Sequence, residues 1–148
     1  MALTTIYNKA LLEMAKGSLS FTNGSTAYKL LLLTKATSPT YTPVKSHQYL
    51  ADVLTGGNNE VSGSGYTSGG KVATVSSVAE TGASEIEITF ADVQWPNSTI
   101  TADAAILYRT GSNYADSRLV AFIDMQSTVS SSSSTFTVAF STPLKLKN

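Results

Sequence analysis

The sequence predicts a mainly β fold, a single β-sandwich or jelly-roll-like domain with a short N-terminal α-helix. Three observations carry that expectation. Apolar and polar residues alternate with period two in the second half of the chain, as in "EIEITF", where Glu85 and Glu87 alternate with Ile86, Ile88 and Phe90. Short strand-like runs recur at close spacing, "TITADAAILYR", "RLVAFIDM" and "TFTVAF", separated by the turn-forming spacers "RTGSNYADS" and "VSSSSS". Finally, 148 residues with 42% hydrophobic content have room for one domain with a real core. That domain is expected to span 1–148, with a helical segment at 1–17 and a β-rich body at 27–148.

Taken in order, the first element is the amphipathic segment in which Ile6, Tyr7, Ala10, Leu11 and Met14 share a helical face. Thr4 or Thr5 is placed to cap its start and Gly17 to end it. Such a helix is expected to pack on the core or edge of its own domain, with a partner-binding arm as the alternative. After the turn signal "TNGST", the run Ala27 to Thr34 reads as a strand buried on both faces at the centre of a sheet. Pro39 and Pro43 then rule out a ladder and imply a surface connection. "SHQYLADVL" adds one or two helical turns capped by Ser46. "KVATVSSV" at 71–78 resumes strand alternation, and the serines 130–134 read as a flexible hairpin tip.

The stretch "NEVSGSGYTSGGKVATV" at 59–75 comes close to two nucleotide-binding signatures. Gly65, Gly70 and Lys71 fall at phosphate-loop spacing, but Val72 stands where a magnesium-binding hydroxyl is required. Strand residues rather than a helix follow, so no helix terminus faces a phosphate. The dinucleotide pattern fails at Ser68, where its third glycine belongs. The stretch is therefore expected to be a strand-connecting loop.

Ten basic residues balance ten acidic ones, the pI is about 6.6 and only 14% of residues are charged. No positive field attracts nucleic acid or an anionic membrane, and a net charge of zero permits self-association. The absence of cysteine excludes disulfides, thiolate catalysis and Cys-ligated metals. The N-terminal segment, interrupted by Lys9, Glu13 and Lys16, reads as neither signal peptide nor membrane span, which leads to the expectation of a soluble, non-secreted chain.

No catalytic constellation emerges. His47 is the sole histidine, and no second histidine or cysteine completes a metal set or a nucleophile pair. Glu85 and Glu87 point to one face, the solvated one, without the burial that raises a carboxyl pKa for glycoside cleavage. Asp92, Asp103, Asp116 and Asp124 fall near strand ends or turns, where local hydrogen bonds to backbone are expected. Trp95, with Tyr66, Tyr108 and Tyr114, suits either a core or an exposed sugar-stacking platform. Catalytic, cofactor and metal sites are all expected to be absent.

The segments "IYNKALLEMAKG", "AYKLLLLT", "SHQYLADV", "NEVSGSGYTSGG", "FADVQWPNSTITADAAILYRTGS" and "RLVAFIDM", in that order, resemble a family of small bacteriophage virion proteins of similar length. The likeness spans most of the chain and fades in "VSSSSSTFTVAF" and "STPLKLKN". It implies a β-rich, non-enzymatic structural protein made in the host cytoplasm and carried on the virion. The leading expectation is a capsid decoration or cement protein, typically a homotrimer, bound to the major capsid protein. A tail, baseplate or fibre component that reads a glycan receptor is the alternative. Candidate capsid or subunit contacts are Ile6, Tyr7, Leu11, Met14 and Tyr41; Trp95 is the candidate exposed aromatic of the glycan-binding version.

Overall fold

The structure, a computed structural model, describes residues 3–34, 46–54, 59–82, 84–140 and 144–147. Its centre is the aliphatic run foreseen above. Strand β2 (Tyr28–Thr34) is an interior strand, preceded in the chain by β1 (Leu3–Ile6) and α1 (Asn8–Ala15). Because paired residues of adjacent strands share a face, Tyr28, Leu30 and Leu32 form one surface and Lys29, Leu31 and Leu33 the other. Leu30, Leu31, Leu32 and Leu33 are all buried, and each contributes about 1.5–3 kcal/mol relative to an exposed side chain.

The chain continues through α2 (Leu50–Leu54), β3 (Asn59–Glu60), β4 (Lys71–Ala73), β5 (Val75–Thr81) and β6 (Glu85–Phe90). Then come β7 (Val93–Ser98), β8 (Thr101–Arg109), β9 (Arg118–Ser130), β10 (Ser134–Val138) and β11 (Leu144–Lys147). A six-stranded antiparallel sheet has the order β1-β9-β8-β2-β3, with β4 also on β2; β10-β7 and β11-β6-β5 form smaller sheets. One buried cluster joins residues of all three sheets in a sandwich-like arrangement. Tyr28, from the large sheet, stands edge-on to Phe90 of β6 at 5.8 Å and stacks on Phe21 at 4.8 Å.

Two of the sheets share one bent ribbon. The β8–β9 ladder runs to Thr101 opposite Ser130, and the β7–β10 ladder resumes with Ser98 opposite Ser134. At the bend the Ser131 N–H donates to the Ile100 carbonyl at 2.8 Å, the Ser133 N–H to Thr99 Oγ1 at 3.0 Å, and Ser98 Oγ meets Ser131 Oγ at 2.8 Å. The serines 130–134, expected as a hairpin tip, are therefore a corner between sheets, with Ser131 buried. The small hydroxyls let two strands turn together while their backbone groups stay paired. Pro96 is accommodated in β7 because the register slips between Trp95 and Ser98 opposite β10, so no ladder bond is lost there.

The N-terminal segment differs from expectation at its start. Leu3–Ile6 is an edge strand, Thr5 lying opposite Phe122 and Ile6 opposite Ala121, so neither Thr4 nor Thr5 caps the helix; Tyr7 precedes it without a side-chain cap bond. Pairing with β9 outweighs the helical periodicity of this β-branched stretch. The end matches: Gly17 adopts φ +80, its N–H donates to the Met14 carbonyl at 3.1 Å, and the Ser18 N–H donates to the Glu13 carbonyl at 2.8 Å, a Schellman closure. In α2 the first turn is closed by Asp52 rather than Ser46, its Oδ2 accepting from the N–H groups of Tyr49 at 2.8 Å and Gln48 at 3.0 Å. Those bonds, the Tyr49 one foremost, hold the Asp52 carboxyl below its ordinary pKa. The Pro39–Pro43 connection and Tyr41 lie outside the described residues.

Candidate functional site

The glycine-rich stretch that raised the nucleotide question forms a plug in the edge of the large sheet. On β2, Leu33 and Thr34 pair with β3, whereas Tyr28 to Leu30 pair with β4; Leu31 and Leu32 fall between. Residues 61–70 bridge that gap. The Val61 N–H donates to the Leu32 carbonyl at 3.0 Å, and the Leu32 N–H donates to the Tyr66 hydroxyl at 3.1 Å. A phenol thus occupies the place of a missing strand, and the sheet edge carries no orphaned donor at Leu32.

The same hydroxyl donates to Glu60 Oε1 at 3.0 Å, and the Gly69 N–H donates to that oxygen at 2.6 Å. Tyr114 donates to Glu60 Oε2 at 3.1 Å, while Tyr108 donates to the Gly69 carbonyl at 2.6 Å. Glu60 pairs with Leu33 and so projects from the same face of the large sheet as Tyr108. Burial raises the phenol pKa of Tyr66 and Tyr108 well above the ordinary range and that of Tyr114 to about 12; the nearby Glu60 charge adds to each. The phenols therefore stay protonated, Tyr66 and Tyr114 as donors to the Glu60 carboxylate and Tyr108 as donor to the Gly69 carbonyl.

Close approach explains the glycines. A Cβ on Gly70, at φ +77, would sit 1.9 Å from the Leu30 carbonyl oxygen, and one on Gly65, at φ +82, would sit 2.9 Å from Ser98 Cα. The loop packs flat on strand backbone, as the sequence reading of a strand connection requires. Lys71, in the phosphate-loop position, donates to the Gln94 carbonyl at 2.7 Å instead.

The aromatic group proposed from sequence is assembled, but inward. Trp95 stacks on Tyr66 at 6.0 Å and meets Phe136 edge-on at 6.1 Å, and only 2% of its surface is exposed. Trp95 is thus not the exposed sugar platform of the glycan-binding version. Alternation along β7 turns Val93 and Trp95 to the core while Gln94 faces solvent.

The acidic candidates are dispersed. Glu85 and Glu87 each pair with Lys145 of β11 at 3.3 Å. Asp116 accepts from the Asn113 N–H and Asp124 from the Gln126 N–H, both at 2.8 Å, while Asp92 reaches the Phe140 N–H at 3.1 Å and Asp103 accepts from Thr128. His47 joins none of these bonds, and its Nδ1 is enclosed beside α2. Among the described residues no group of three or more His, Asp or Glu side chains is placed to hold a metal ion, and no helix is long and apolar enough to cross a membrane.

The contact candidates separate by exposure. Tyr7 is fully buried in the core of its own chain, its N–H bonded to the Val120 carbonyl at 3.1 Å, so it offers no surface to a partner. Ile6 and Met14 are partly buried against the core. Leu11 and Leu12 are 42% and 43% exposed. Together Ile6, Leu11, Met14 and Ala15 of the N-terminal segment and Lys145 and Leu146 of β11 line a groove of about 440 Å³. The helix itself is anchored: Glu13, buried on its inner face, pairs with Arg118 of β9 at 3.4 Å and with Lys16 at 3.6 Å.

Sequence reasoning missed Glu60 and Leu12. The signal for Glu60 was a lone acid placed just ahead of closely spaced glycines and a tyrosine; for Leu12, an apolar residue off the helical stripe. No protein-family model matches this chain, and neither the curated proteins nor the solved structures provide a match.

Proposed function

We propose that this chain is a non-enzymatic structural protein of a bacteriophage particle, a decoration or cement protein that binds the outside of the major-capsid lattice and associates there as a homotrimer. The sequence resemblance supplies the setting, and the observation that carries the contact is the exposure of Leu11 and Leu12 beside an apolar groove on an anchored helix. A rigid apolar surface loses little conformational entropy on docking. Covering the remaining exposed part of each leucine contributes about 1 kcal/mol, weak for one copy and effective over many copies held on a lattice. The zero net charge leaves little long-range repulsion between neighbouring copies. No catalytic role is assigned: Glu60 is bound by Tyr66, Tyr114 and Gly69, Glu85 and Glu87 pair with Lys145, and Asp92, Asp116 and Asp124 accept from backbone N–H groups.

Cosedimentation of the protein with capsids lacking it tests the contact. The Leu11→Ser, Leu12→Ser variant is expected to lose about 2 kcal/mol of attachment per copy, roughly a 30-fold weaker attachment, and, both side chains being partly covered within α1, to lose about 1–2 kcal/mol of its own stability while still unfolding cooperatively in urea. Attachment equal to the parent protein's would sink this reading.

A further inference from the structure

We draw no further inference here: the strongest candidate, the apolar groove between α1 and β11 lined by Ile6, Leu11, Met14 and Leu146, already belongs to the proposed contact surface, and nothing in the structure shows what else would cover it.

Discussion

Replacing Tyr66 with Phe removes one oxygen atom and leaves the ring stacked on Trp95. That oxygen serves two partners, accepting from the Leu32 N–H at 3.1 Å and donating to Glu60 Oε1 at 3.0 Å. Without it the Leu32 N–H is left inside the sheet edge with no acceptor, which costs about 1–3 kcal/mol. Loss of a hydrogen bond to a carboxylate adds about 1.5–3 kcal/mol, reduced because the Gly69 N–H and the Tyr114 hydroxyl still hold Glu60. The variant should therefore lose about 3 kcal/mol, a fall in Tm of roughly 6–12 °C for a chain of this length. Tyr114→Phe removes a single bond from a less buried ring and should lose about 1 kcal/mol. Urea unfolding followed by Trp95 fluorescence measures both. Equal effects of the two variants, or a Tyr66→Phe loss below about 0.5 kcal/mol, would refute the idea that this hydroxyl completes the sheet edge.

Trp95→Ala should destabilise by about 3–5 kcal/mol, since it empties a buried site against Tyr66 and Phe136; circular-dichroism melting reads the loss, and an unchanged melt would return Trp95 to the surface. High pH should weaken the fold through the tyrosines. Burial pushes Tyr28 from 10.0 up to about 12, and Tyr114 rises to about 12, so across that window the unfolded chain releases protons that the folded chain retains. Stability contributed by keeping these phenols neutral is complete below pH 10 and declines as pH rises toward 12; a urea midpoint that is level across this range contradicts the assignment.

Strand alternation made much of the body legible in the sequence. Ile88 and Phe90 turn inward as their spacing required, whereas Ile86 of the same alternating set is exposed, and the aliphatic run at 28–34 is interior because only a strand covered on both faces buries four consecutive leucines. What escaped was set by tertiary pairing. Leu3–Ile6 has a helical apolar spacing but finds an edge of β9 to pair with. "VQWPNS" contains proline, a signal against a ladder, yet forms β7 because a register slip excuses the missing donor. The serine run looks structureless locally, and its role at the corner depends on Thr99 and Ile100, distant in sequence.

The candidate site followed the same division. Residue types grouped Tyr66, Tyr108, Tyr114 and Trp95, but did not show that Glu60 gathers the Tyr66 and Tyr114 phenols, because that depends on the register of β3 against β2. Composition excluded cysteine chemistry outright, whereas the exposure of Leu11 and Leu12 and the burial of Tyr7 follow from which side of α1 meets β9. The N-terminal segment packs on its own domain, the first of the two expectations: β1 pairs with β9 at the edge of the large sheet and Tyr7 lies in the core.

The most direct test of the proposed role is electron microscopy of intact phage particles labelled with gold-conjugated antibody against this protein. A decoration or cement protein predicts dense label spread over the head. Label confined to the tail, or none on the particles, would contradict it.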